Sequence, residues 1–183
     1  MSHMSTAAGA LADVVSAIES EQLANPTPCA EFDVRELVHH LLYWGPSLEG
    51  AARKESVSPS DVEVADWRGA LLAQLTRTVD AWTPASAWDG MTGMGPAKMV
   101  GEMIVGELVV HAWDLARATG QPLDLPDDLL TYVHDGVAAG ADQGREMGLY
   151  GPEVPVPSDA PVLDRILGLT GRDPAWAGAV TVP

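Results

Sequence analysis

A glutamate and a histidine stand one helical turn apart in Met103-Ile-Val-Gly-Glu107-Leu-Val-Val-His111-Ala-Trp-Asp114-Leu, a stretch otherwise almost wholly apolar. Residues four apart share a helix face, and the neighbours of Glu107 and His111 on that face are Ile104, Leu108 and Leu115. The helical period therefore aims both polar groups at a packed interior. A carboxylate placed there is costly unless something pairs with it. One partner that suits a carboxylate and an imidazole together is a divalent metal ion, which needs a further protein ligand from another helix. His40 is a candidate for that third ligand. Without a metal, Glu107 reads as a rim residue and His111 as a core histidine bonded to a backbone carbonyl. Spacing leaves both readings open, because Glu-x-x-x-His arises by chance in many helices.

The other reactive side chains carry weaker signals. His40 falls among Leu37, Leu41 and Trp44 on a helical period, whereas His39 shares a side with Arg35, Glu36 and Tyr43. Periodicity thus favours His40 over His39 as the inward imidazole without settling the choice. His134, between Val133 and Asp135, reads as an ordinary surface or core histidine. Cys29 precedes the helix that carries His40, and no basic side chain nearer than Arg35 would lower its pKa, so it reads as a buried small residue rather than a nucleophile. Asp114 could orient His111 or a distant cation from behind, or form a surface ion pair with Arg117. The six tryptophans, with Trp44, Trp67 and Trp113 at helical core spacing, read as packing.

Helices must position these groups, since strand signals are scarce. The first amphipathic stretch runs from about Ala7 to Leu23 and stops before Asn25-Pro-Thr-Pro28. Asp33 and Glu36 have capping-box spacing and open the second helix. Ser60 and Glu63 repeat that spacing ahead of a third helix through Trp67, Leu71, Leu75 and Val79. A loop from Thr83 to Gly95 leads to Pro96, placed in the first turn of a fourth helix that ends at Gly120. A fifth helix is expected over about Pro126 to Met147. The segment from Pro152 to Pro161 holds four prolines, and a short last helix closes at Gly171. The pattern predicts an all-α fold, a helical bundle with short appended helices in one domain over residues 5–183. Met1-Ser-His3-Met4 reads as a remnant of recombinant expression, so His3 is set aside as a functional group.

Composition narrows the function classes. With 26 acidic against 10 basic residues the formal net charge is −16, which argues against a surface built for phosphate backbones. Nucleic acid is therefore not an expected partner. No apolar run reaches the roughly 20 residues of a membrane span, and the amino terminus lacks a basic region followed by an apolar block. A soluble protein with no membrane partner is expected. The lone cysteine allows no intrachain disulfide and excludes a multi-cysteine zinc site, which suits a reducing cytoplasm. Any metal here must use histidine and carboxylate ligands.

Three blocks carry a family resemblance: Thr27-Pro-Cys-Ala-Glu-Phe-Asp-Val-Arg-Glu-Leu-Val-His-His40-Leu, Gly106-Glu-Leu-Val-Val-His-Ala-Trp-Asp-Leu-Ala-Arg-Ala-Thr-Gly120, and Asp164-Arg-Ile-Leu-Gly-Leu-Thr-Gly-Arg172. Together they resemble the metal-binding DinB-like proteins, and more narrowly the branch related to the amino-terminal domain of mycothiol-dependent maleylpyruvate isomerase. The resemblance runs from the first helix to Trp176. It implies a DinB-like four-helix bundle whose divalent metal is held by His40, Glu107 and His111, and so selects between the adjacent histidines. Three protein ligands leave coordination positions open, as catalytic sites do. It further implies a mycothiol-dependent S-transferase or isomerase, in which a metal-activated small-molecule thiol adds to an electrophilic substrate. A non-catalytic metal- or ligand-binding bundle is the alternative; metal-assisted hydrolysis ranks last, since no spare inward carboxylate is evident to act as base. Zinc suits the ligand set best, with nickel or another transition ion also accommodated. A homodimer is left open. The Pro-rich segment and last helix are too small to be the isomerase's separate carboxyl-terminal domain, so the resemblance implies a site and a class of chemistry rather than a substrate.

Overall fold

The computed structural model describes residues 2–61 and 64–178. Among the described residues six α-helices make up the fold: α1 His3–Ala17, α2 Val34–Ala52, α3 Trp67–Trp82, α4 Ala97–Thr119, α5 Asp127–Glu146 and α6 Val162–Leu169. Around the bundle, α1 packs on α4, α4 on α2, α2 on α3, and α3 back on α1. The expected all-α four-helix bundle is present, with α5 laid along α4 and α6 against α5. Its centre is α4, which buries residues on every side from Ile104 to Ala116, Glu107 alone excepted. A helix apolar all round belongs inside a bundle. Among the described residues no helix is long and apolar enough to cross a membrane.

Local chemistry sets the helix ends. At α2 the expected capping box forms: Asp33 accepts from the Glu36 amide at 2.8 Å, and Glu36 accepts from the Asp33 amide at 2.9 Å. That fixes the register of the helix bearing His40. Gly120 stops α4 at φ 69°, a conformation open to glycine and costly for most residues. α5 starts after Pro126, close to expectation.

Three boundaries differ from the sequence reading. α1 begins at His3, capped by Ser2, and Met4 is buried in the core, so residues read as a recombinant remnant are part of the helix. It also ends at Ala17; Ile18 is extended and a separate 3-10 turn, Ser20–Ala24, follows, because Glu19 and Gln22 form their own capping box. α3 starts at Trp67 with Asp66 as its cap, accepting from the Gly69 amide at 2.9 Å. Ser60 instead donates its amide to the Tyr43 carbonyl, and Glu63 of the expected capping box lies outside the described residues. The loop before α4 contains a 3-10 turn, Ala85–Trp88, and a two-residue hairpin pairing Met91 with Pro96 and Thr92 with Gly95.

The buried face of α2 is also rotated from the expected stripe. Leu37, Val38, Leu42, Gly45 and Glu49 point inward, while Leu41 is half-buried and Trp44 is 38 % exposed. Trp44 is therefore not a core residue. The cause is a polar anchor that periodicity does not reveal: Glu49 accepts from Gln74 Nε2 at 2.6 Å and from Arg77 Nε at 2.9 Å, joining α2 to α3. A buried carboxylate with such partners fixes the helix rotation.

Candidate metal centre

α4 delivers Glu107 and His111 from successive turns, as their spacing requires. His111 is almost wholly buried, and the Glu107 side chain is 32 % exposed, so the pair is partly open to solvent through Glu107 rather than sealed in the core. From α2, His40 meets them, its ring 5.3 Å from that of His111 and nearly perpendicular to it. Phe32, just before α2, packs against the other side of His40, with ring centroids 5.1 Å apart. His40 is half-buried at the edge of the inward face of α2. Each of His40, Glu107 and His111 offers one ligand atom, and the three atoms lie within 4.8 Å of one another. His39, by contrast, faces outward toward Asp61, with half its side chain exposed.

His111 is held at both ring nitrogens. Nε2 lies 3.1 Å from Glu107 Oε2, and Nδ1 lies 3.0 Å from Asp114 Oδ2. Asp114 is completely buried. Its second partner is Arg172, whose Nη2 donates to Oδ2 at 3.1 Å and whose Nε lies 3.5 Å from Oδ1. Of the two roles open to Asp114 in the sequence, it takes the one behind His111 and facing a distant cation. Arg117 goes elsewhere, donating to the Trp176 carbonyl and lying over the Trp113 ring.

Electrostatics follow from these contacts. Burial works against a charged His111, but its hydrogen bonds to Asp114 and Glu107, and their charges, push it up to about 9. Burial would raise Glu107; the hydrogen bond and charge of His111, helped by Arg172 and His40, hold it below the usual glutamate range. His40 is lowered by burial and then by the neighbouring His111. With no ion bound, His111 is thus held protonated, donating from Nδ1 to Asp114 and from Nε2 to Glu107, while His40 stays neutral. Burial also pushes the Cys29 thiol up, with Arg172 offsetting only part of it. A thiol with a raised pKa is a poor nucleophile, in line with the reading against a nucleophile, although Cys29 is half-buried rather than buried as expected. Tyr150, from the turn after α5, is pushed up to about 12 by burial and then by the charge of Glu107. His134 is half-buried and its nearest acid is its neighbour Asp135.

The donor set fits a divalent ion. Two imidazoles and one carboxylate converge from two helices, and an Nδ1 proton donated to Asp114 leaves Nε2 of His111 as the ligand atom. Tyr150 and Arg172 were not singled out by spacing. The only sequence signal for Arg172 is its place at the end of the third block.

An all-α bundle with an inward cluster of two histidines and one glutamate, split between its second and fourth helices, defines the class of protein. Residues 4–116 match the family described as mycothiol maleylpyruvate isomerase N-terminal domain, well over half of the chain, and the chain belongs to that family. All three cluster residues lie inside the matched stretch; Tyr150 and Arg172 lie beyond it. Two similar proteins are the uncharacterized proteins MT0763 and Rv0738 of Mycobacterium tuberculosis, from strains CDC 1551 and H37Rv. Each is 28% identical over 174 residues, covering 89% of this chain and 92% of its own length. No solved structure matches.

Proposed function

We propose that the chain binds a divalent metal ion, zinc before nickel or another transition ion, through His40, Glu107 and His111, and uses it to activate the thiol of mycothiol in an S-transfer or isomerisation. The observation that carries this reading is the convergence of three ligand atoms within 4.8 Å beside a partly exposed Glu107. Family membership supports the choice of thiol. When bound, such an ion would stabilise the anion of a thiol presented to its open positions and so lower that thiol's pKa.

The chain's own groups do the rest. Asp114 orients the His111 ring by accepting from Nδ1, and Phe32 packs against the His40 ring. Glu107 offsets part of the ion's charge, so the centre attracts an anionic sulfur without the full charge of a bare dication. The half-buried position of Cys29 and its raised pKa leave the reactive sulfur to a ligand from solution.

The test is metal analysis of the purified protein, followed by thiol titration of the cobalt-substituted form. Stoichiometric metal and a thiolate-to-cobalt charge-transfer band support the reading. Metal without the band would make the protein a metal-binding bundle instead, and absence of stoichiometric metal would overturn the site.

A further inference from the structure

We propose that Arg172 is a positioning residue of the metal centre, acting through Asp114 to set the ring of His111; this rests on the metal reading of that site. The chain of contacts is continuous. Arg172 grips the Asp114 carboxylate at both oxygens, and Asp114 Oδ2 in turn accepts from His111 Nδ1. A carboxylate with one partner can rotate about its own bond; a guanidinium fork across both oxygens fixes its plane. With that plane fixed, the direction of the Nδ1 hydrogen bond is fixed too, and with it the direction of the Nε2 lone pair.

What aims Arg172 is the way α6 ends. The Gly171 amide donates to the Gly168 carbonyl at 3.1 Å and the Arg172 amide to the Leu167 carbonyl at 2.8 Å, the two bonds of a Schellman turn. Gly171 supplies the left-handed residue that this turn needs, at φ 83°, and a Cβ there would come within 2.8 Å of the Gly151 backbone. The side chain of Arg172 is held a third time by the Thr170 carbonyl, which accepts from Nη1 at 2.9 Å. Arg172 and the turn that aims it lie outside residues 4–116, the part matched to the family, whereas Asp114 and His111 lie inside it. The carboxyl-terminal segment thus belongs to the metal centre and not merely to the packing around it.

Cobalt affinity and the visible spectrum of the cobalt form test this in Arg172→Met, Arg172→Lys, Asp114→Asn and the double variant Asp114→Asn with Arg172→Met. Loss of an orienting partner behind a metal-bound histidine typically weakens binding about 10- to 100-fold, so Arg172→Met should do so and Arg172→Lys, which lacks the fork, should recover only part. Because Arg172 acts through Asp114, the double variant should bind no more weakly than Asp114→Asn alone. Arg145→Met is the control: Arg145 ties α5 to the Leu169 carbonyl in the same segment without touching Asp114, so it should lower the melting temperature and leave affinity and spectrum unchanged. In the metal-free protein, the His111 Nδ1 proton should be seen by NMR as slowly exchanging in the parent and fast in Arg172→Met. If Arg172→Met does not fold, Arg172→Lys carries the comparison. Parent-like affinity and spectrum in the Arg172 variants, or an equal loss in Arg145→Met, would overturn the proposal. Failure of the parent to bind cobalt would instead overturn the metal reading, and the NMR comparison would still decide whether Arg172 orders His111.

Discussion

In the metal-free protein His111 is protonated and donates from Nε2 to Glu107, and that proton makes metal binding a proton exchange. A dication needs the Nε2 lone pair, so at neutral pH, below the value of about 9 to which His111 is pushed, its uptake must release a proton. Calorimetry in buffers of different ionisation heat should show roughly one proton released per metal near pH 7. Apparent affinity should rise with pH and level off once His111 is already neutral. Removal of a ligand is a cleaner test of identity: Glu107→Ala or His111→Ala, and equally His40→Ala, should abolish stoichiometric metal with helical circular dichroism retained, since apolar packing carries the fold. His39→Ala should keep its metal, because that ring faces Asp61 and solvent. Equal losses at positions 39 and 40 would mean that α2 is rotated differently in solution. Cys29→Ser should leave the cobalt–thiol spectrum of the parent unchanged, whereas loss of a sulfur band before any thiol is added would put Cys29 itself on the ion. At this scale the sequence was informative about α4, where the four-residue spacing alone places two of the proposed ligands together. For Asp114 it offered both the role behind His111 and a surface pair with Arg117 without choosing, because the deciding partner lies 58 residues away.

α2 and α4 hold the three cluster residues in register by different means. α4 is fixed by burial on every side and by its glycine stop. α2 is fixed by a cap at one end and by Glu49 further along, where Gln74 and Arg77 hold it to α3. Asp33→Ala removes the cap and should cost about 1 kcal/mol, typical of a lost N-cap, read as a lower melting temperature with metal stoichiometry unchanged. The helix starts at Asp33 and the stop at Gly120 were legible because capping chemistry is local. The rotation of α2 was not. Its apolar residues cover more than one face, and the buried Glu49 that selects among them looks from sequence like a surface charge. The start of α3 was misplaced for a related reason: Ser60 and Asp66 both have cap chemistry, and only the packing of Trp67 and Leu71 against the core decides which one begins the helix.

For the whole molecule, the linkage of His111 gives a sign that can be checked. A group whose pKa is higher folded than unfolded binds more protons in the native state between the two values, so the His111 contribution to metal-free stability is fully present below about 6.5 and is lost as the pH rises through about 9. Thermal melts of the metal-free protein across that range should show this decline, with no matching decline in His111→Ala. Bound metal should reverse the loss, since a ligand at 100 times its dissociation constant adds about 2.7 kcal/mol, or roughly 5–10 °C for a domain of this size, and a chelator should remove it. The sequence by itself determined the all-α class, the helix that carries two of the three proposed ligands, and the acidic, cysteine-poor character that excludes nucleic acid and multi-cysteine chemistry from expectation. These depend on spacing, capping and composition, which are properties of neighbouring residues or of simple sums. Only the tertiary structure decided which face of α2 is buried, that Phe32 packs on His40, and that Arg172 rather than Arg117 stands behind Asp114. Those choices depend on buried polar groups finding partners far along the chain, and the cost of leaving such groups unpaired is settled only when the helices meet.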